Sequence, residues 1–237
     1  MALVTGASGG IGGELCRRLA TEGATVAVHY RSGSDAAERL VAEIGEAGGQ
    51  AVAFRGDLGE AATAERLVDE VADRLGPVDM LIANAGLSRP GTLEEVDAAT
   101  FDETVAVNLR APFLQVRRVL PHMREQHWGR VLFTSSVAAF TGGLVGPHYA
   151  SSKAGLHGLL HFVASRVAGD GVTVNAIAPA LIEDTTMLPG DPGSLAERIP
   201  VGRLGKPAEV ADLAMAILRN GYMTNQVVEI DGGMYPR

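Results

Sequence analysis

Short apolar runs alternate with longer amphipathic stretches from one end of the chain to the other. The runs cover residues 2–4, 25–28, 50–54, 80–83, 131–134, 173–177 and 227–230. They are brief, rich in β-branched residues and mostly uninterrupted by polar positions, the pattern of strands covered on both faces of a parallel sheet. Helical spacing fills the intervals at 11–20, 35–47, 60–75, 99–125, 149–168 and 207–219. This alternation predicts an α/β fold: a doubly wound parallel sheet of about seven strands, helices on both faces, right-handed crossovers. No repeat or linker divides the chain, so residues 1–237 are expected to form one domain.

One stretch breaks the rhythm. Residues 183–200 hold Pro189, Gly190, Pro192, Gly193 and Pro200, with helical spacing only near 194–198. A long connection after the sixth strand, at the sheet edge where ligands bind in such folds, predicts a lid over the site. A plain surface insertion is the other reading.

Composition narrows the function classes. Hydrophobic residues make up 46% and aromatics only 5%, so the core must be built from Ala, Val, Leu and Ile. A net charge of −8 argues against a nucleic-acid surface or a polybasic membrane patch, and disfavours docking of an acidic protein unless a local basic patch overrides it. Cys16, the single cysteine, forms no internal disulfide and is expected to fill space in the first helix, as in a reducing cytosol. No apolar run approaches the ~20 residues of a membrane span, and no charged-then-apolar leader opens the chain, so a cytoplasmic protein is expected.

Candidate chemistry starts with Tyr149 and Lys153, four residues apart and therefore on one helix face. An ammonium beside a phenol favours the phenolate, and a phenol tuned that way exchanges a proton with an alcohol or ketone oxygen near neutral pH. The same spacing also occurs on ordinary surface helices. Residues 5–12, Thr-Gly-Ala-Ser-Gly-Gly-Ile-Gly, follow the first strand and open the first helix. Glycines there permit a tight turn and let backbone approach a pyrophosphate at the helix N-terminus, with Gly6, Ser8, Gly10, Ile11 and Gly12 as the contacts.

The glycine turn, Asn84-Ala85-Gly86, Asn108, Ser136, Tyr149 and Lys153 together resemble the short-chain dehydrogenase/reductase family, with Rossmann-like topology. The resemblance extends to Pro179 and to Asp231-Gly232-Gly233, and so spans the whole chain. It implies that Tyr149 is the general acid in ketone reduction and that Lys153 holds the nicotinamide ribose and depresses the phenol pKa. Ser136 would stabilise charge on the substrate oxygen, and Asn108 would keep a water in a proton relay to Lys153 or satisfy a local helix distortion. Ser135 is a rival to Ser136 but has the wrong spacing from Tyr149. Asp57 and Leu58 would contact the adenine, with a helix N-cap as the alternative for Asp57. Asn84, Ala85 and Gly86 would line the cofactor crevice, and Pro179 and Ile182 would flank the nicotinamide. Where members commonly carry a threonine this chain has Asp184, leaving Thr185 or Thr186 to meet the nicotinamide amide.

Members that use NAD place a carboxylate at the end of the second strand; here Arg31 and Ser32 follow His29-Tyr30, which predicts NADP(H) over NAD(H). No metal is expected: His157 and His161 have helical spacing but no third ligand. The predicted substrate wall is Leu87, Ser88, Ser136, Ala138, Phe140, Leu144, His148, Tyr149, Ala180, Leu181 and Met187, small and apolar, suited to a ketone on an aliphatic chain. The pattern looks most like the 3-oxoacyl-(acyl carrier protein) reductases, implying an acyl-thioester substrate in fatty acid biosynthesis and acyl carrier protein as a partner. Glu125 and Asp170 occupy flanks where such a partner would want positive charge, which Arg89, Arg110, Arg117, Arg118 and Arg130 would have to supply. The alternatives are a reductase of a free ketone, keto-sugar or quinone, and a non-catalytic NADP-binding sensor or scaffold. A homotetramer, then a dimer, is expected from apolar Leu156, Leu159, Leu160 and Val163 and from a C-terminal run, 230–235, suited to a two-fold axis.

Overall fold

The apolar runs lie side by side as seven parallel strands: β1 (Ala2–Val4), β2 (Thr25–Tyr30), β3 (Gln50–Arg55), β4 (Met80–Ala83), β5 (Gly129–Thr134), β6 (Val172–Pro179) and β7 (Val227–Ile230). Their order across the sheet is β3-β2-β1-β4-β5-β6-β7, in a computed structural model that describes residues 1–185, 188 and 191–235. The helices are α1 (Gly10–Thr21), α2 (Ser34–Glu46), α3 (Ala61–Leu75), α4 (Ala98–Val105), α5 (Ala111–Glu125), α6 (Ala138–Thr141), α7 (Pro147–Val167), α8 (Pro192–Ala196) and α9 (Pro207–Arg219).

Successive strand residues point to opposite faces, which makes two cores. Leu3, Val131 and Phe133 pack with α3, α5 and α7, while Val4 and Leu132 pack with α1, α2 and α9. Cys16 belongs to the second core, fully buried, and burial pushes its thiol pKa far up, so it acts as a small hydrophobe. Among the described residues no helix is long and apolar enough to cross a membrane.

Two expectations change. The helix predicted over 99–125 is broken by a π-helical turn, Ala106–Arg110, between α4 and α5. Asn108 sits in that turn, at the local helix distortion that was one of its two readings, and its side chain bonds two other segments. On α7, Leu156, Leu160 and Val163 are buried in the chain's own core, with Leu159 packed at its edge, so the apolar surplus expected for a subunit contact is used internally. The C-terminal run is held by bonds within its own chain: Val201 N–H donates to Gly232 O at 3.2 Å, and the Asp231 carboxylate accepts from the N–H groups of Gly233 and Tyr235 at 2.9 and 2.7 Å.

Candidate active site

β1 and β4 are neighbours whose following segments leave the sheet toward opposite faces, the arrangement that opens a crevice at the C-terminal strand ends. A cleft of about 790 Å³ occupies that edge. Its floor at one end is the glycine turn, held from three sides. Thr5 Oγ1 accepts from the N–H groups of Asn84 and Ala85, both at 3.0 Å. The Asn84 amide donates to Thr5 O and Gly6 O at 3.0 and 3.2 Å, and accepts from Thr134 Oγ1 at 3.2 Å.

The third tether is His29, which sequence reasoning passed over. Its Nδ1 accepts from Gly6 N–H at 3.1 Å, and its Nε2 lies 3.0 Å from Gly56 O, so the ring carries its proton on Nε2. Burial brings its pKa down to about 4, keeping the ring neutral as both bonds require. His29→Ala is expected to weaken dinucleotide binding about tenfold, the effect of leaving one buried donor unpaired in the turn. Fluorescence titration of the cofactor checks this; an unchanged dissociation constant removes His29 from the cradle.

Backbone crowding explains the glycines. Gly6 has φ +65°, and a Cβ there would stand 2.8 Å from Ala85 Cα. A Cβ on Gly12 would meet Gly6 O at 2.5 Å and Asn84 Nδ2 at 2.8 Å. Gly9 ends the turn as the N-cap of α1 without any side-chain cap, so the first-turn N–H groups of the helix face the cleft through Gly10, Ile11 and Gly12. That donor set fits a pyrophosphate. Ser8, Arg31, Ser32, Asp57 and Leu58 line the same end, and Asn84, Ala85 and Gly86 lead toward its middle. Asp57 is not a helix cap: Glu60 occupies the N-cap of α3, and Asp57 Oδ1 instead closes a turn onto Gly59 N–H at 2.9 Å.

At the other end stand Ser136, Tyr149 and Lys153. Ser136 follows β5 and lines the same end of the cleft as Tyr149, where its hydroxyl lowers the phenol pKa. Burial raises that pKa more than the serine lowers it. Burial brings Lys153 down to about 8; its Nζ donates to Thr134 O at 2.8 Å and stands 5.7 Å from the centre of the Tyr149 ring. In the protein alone the phenol pKa therefore lies above its ordinary value, with desolvation as the larger influence. Ser135 Oγ points elsewhere, 2.8 Å from His157 Nε2 and 3.3 Å from Lys153 O. Asn108 does not line the cleft. Fully buried, it accepts from Leu87 N–H at 2.7 Å and donates to Leu87 O and Ser152 Oγ, both at 3.0 Å. It positions the cleft wall and α7.

Of the expected substrate wall, Leu87, Ala138, Leu144, Ala180 and Leu181 line the cleft, with Pro179, Ile182 and Thr185 beside them, whereas Ser88 does not. Phe140 and His148 also lie elsewhere. Phe140 is wedged between His157 (4.8 Å) and Tyr235 (5.7 Å, 5° between planes), because α6 presents Ala138 and Thr141 to the cleft instead. His148 is fully buried beside Gly146, since neighbouring helix positions point about 100° apart and Tyr149 takes the cleft side. Met187 and Thr186 lie outside the described residues. Thr185 Oγ1 donates to Ile182 O at 2.9 Å. Leu188, Arg198, Met234 and Tyr235 complete this end; the first two belong to the 183–200 stretch expected over the site, and the last two were not anticipated there. His161 pairs with Asn225 and His157 with Ser135, so the two histidines serve different contacts, and no cluster of three His, Cys, Asp or Glu suited to a metal occurs among the described residues.

The fold and the site define an oxidoreductase acting on an alcohol or ketone. The profile of the short chain dehydrogenase family matches residues 1–191, and the chain belongs to that family. It is 33% identical to a 3-oxoacyl-(acyl-carrier-protein) reductase from Staphylococcus epidermidis, over 99% of this chain and 98% of that one. A 3-oxoacyl-(acyl-carrier-protein) reductase from Synechocystis is 36% identical, over 99% and 96%. Among solved structures, a mutant short-chain dehydrogenase/reductase from Serratia marcescens superposes with a TM-score of 0.91 at 33% identity, covering 98% of this chain and 96% of the other.

Proposed function

We propose that this protein is an NADP(H)-dependent ketoreductase that interconverts a ketone and a secondary alcohol, with a 3-oxoacyl thioester as its substrate class. The observation that carries the reading is the meeting of buried Ser136, Tyr149 and Lys153 at the opposite end of one cleft from the glycine cradle. The names of the Staphylococcus and Synechocystis relatives support the thioester.

A nicotinamide bound along this cleft supplies hydride to the carbonyl carbon. The glycine-turn N–H groups would hold its pyrophosphate, Asp57 and Leu58 its adenine, and Lys153 its ribose hydroxyls. Ser136 and Tyr149 would donate to the carbonyl oxygen, stabilising the charge that grows there. Tyr149 then gives its proton to that oxygen. A phenol pKa raised by burial keeps the acid form populated at neutral pH, as reduction needs. The connection through α8 would act as the lid: Ile182 bridges Gly205 at its base, and Leu195 and Ile199 pack with Leu204 beneath it.

Arg31 makes no ion pair among the described residues and faces the adenosine end, which suits a ribose 2′-phosphate. Arg31→Ala is expected to weaken NADPH binding about tenfold or more and leave NADH nearly unchanged, the loss of one charge-assisted hydrogen bond. Comparing initial rates with both cofactors decides it: equal losses for the two would remove Arg31 as the discriminator.

One observation favours a free ketone over a carrier-bound one. The arginines expected to form a basic rim are engaged: Arg89 with Glu103, Arg117 with Glu65, Arg118 with Asp69, and Arg110 with Gly59 O. Arg130 is buried and donates to Leu218 O at 2.9 Å. An acidic carrier would have to displace those carboxylates. Rates with acetoacetyl thioesters against free ketones, each with NADPH, separate the two substrates.

A further inference from the structure

The chain is acidic overall, yet the cleft is not. Its lining contains Arg31, Lys153 and Arg198 against a single carboxylate, Asp57. Arg31 belongs to the adenosine end, and Lys153 is already directed at Thr134 O. Arg198 has no such assignment. It is exposed, lines the cleft, and forms no ion pair among the described residues.

Its surroundings are built to hold it there. Its backbone N–H donates to Leu195 O at 3.1 Å, and the flanking Leu195 and Ile199 are buried with Leu204. Leu181, Leu188 and Met234 pack against that cluster, and all three also line the cleft. The guanidinium therefore rises from an apolar rim at the substrate end. Of the acids in the surrounding segments, Asp191 caps α8 at Ser194 N–H, Glu209 pairs with Arg203 and Asp231 closes the C-terminal turn, while Glu183, Asp184 and Glu197 form no ion pair with Arg198 among the described residues. An arginine over an apolar wall, with its donors unclaimed by the protein, is suited to an anionic oxygen group.

We propose that Arg198 is an anion subsite for the substrate: the ketone reduced here carries a carboxylate or phosphate that this guanidinium binds while Ser136 and Tyr149 hold the carbonyl. The proposal rests on the ketoreductase reading. The anion has two sources, the carboxylate of a free oxo acid or the phosphate of a thioester's pantetheine arm, and both present the same chemistry to the arginine.

The test uses the full chain, with Arg198→Ala and Arg198→Lys beside the wild type. Initial rates with NADPH are measured for two pairs that differ in charge: acetoacetate with ethyl acetoacetate, and acetoacetyl-coenzyme A with acetoacetyl-pantetheine. Arg198→Ala is expected to lower kcat/KM for the charged member of one pair by about tenfold or more, chiefly through KM, with the neutral member unchanged. Arg198→Lys should recover part of the loss, and the affected pair identifies the source of the anion. Equal effects on charged and neutral members, or a weakened NADPH affinity in place of a substrate effect, would overturn the proposal. If no ketone is reduced at all, the reaction reading fails separately. Calorimetric titration of acetoacetate and of phosphate into protein saturated with oxidised cofactor then decides the subsite: binding lost in Arg198→Ala supports it, and binding that is absent or indifferent to the substitution contradicts it.

Discussion

Tyr149→Phe is expected to lower kcat by about 10³-fold while leaving cofactor affinity intact, within the range for removal of a positioned general acid. The substitution deletes one oxygen and keeps the ring. Tyr149 is 8% exposed and packs with Ala138 and Val145, contacts that phenylalanine repeats. What disappears is the phenol that Ser136 contacts and that would donate to the substrate oxygen. Ser136 alone would still polarise the carbonyl, so a residual rate should remain. Stopped-flow oxidation of NADPH, with the cofactor dissociation constant measured on the same protein, separates chemistry from binding. A sensor that kept the fold without catalysis would show no difference between wild type and Tyr149→Phe in any turnover assay.

Lys153→Met should show two effects of different kinds. The activity loss is expected to be about 10²-fold or more, because the ammonium would both hold the cofactor ribose and favour release of the phenolic proton. The stability effect follows from burial. Lys153 has its pKa lowered from 10.5 to about 8, so between those values the unfolded chain holds a proton that the folded chain has released. Stability rises with pH wherever the unfolded state binds more protons, so the wild type should gain on Lys153→Met as pH climbs from about 8. Below that, both states are protonated and the penalty for the buried charge stays constant. The full gain would be about 3 kcal/mol at most, from a shift of that size. Tyr149 lowers the stability of both proteins above about pH 10, because its raised pKa means the unfolded phenol ionises first, and so cancels from their difference. Urea melts of both proteins from pH 7 to 10 should therefore diverge in favour of the wild type, and a constant difference would show that the ammonium carries no desolvation penalty.

The sheet was legible because its central strands are buried on both faces and its edge strands are half-buried yet still apolar. Uninterrupted Val, Leu and Ala runs have no competing pattern, and β1, β4 and β7 match their predicted limits. The ends of β2, β5 and β6 were not legible, since Tyr30, Gly129 and Pro179 extend strands by pairing with neighbours that sequence does not display. The π-helical turn had one signal, Asn108 within an apolar helix, but its cause is the Leu87 backbone twenty-one residues away.

The site divides in the same way. Ser136, Tyr149 and Lys153 could be singled out because their chemistry and their spacing coincide. Phe140 and His148 were misplaced because sequence proximity to catalytic positions says nothing about which side of a helix they take. His29 and Tyr235 were missed for the opposite reason. Each reaches the cleft through tertiary packing, from a strand and a C-terminal turn with no local motif to mark it, whereas Arg198 falls in the 183–200 stretch that was marked only as a whole.

The most direct test is a crystal structure with oxidised NADP and an unreactive analogue of a 3-oxoacyl thioester. The expected result puts the analogue's carbonyl oxygen within about 2.6–3.2 Å of both Tyr149 Oη and Ser136 Oγ, with the nicotinamide ribose on Lys153 Nζ. A carbonyl bound away from that pair, or a nicotinamide outside the cleft end formed by Pro179, Ile182 and Lys153, would contradict the assignment of Tyr149 as the proton donor.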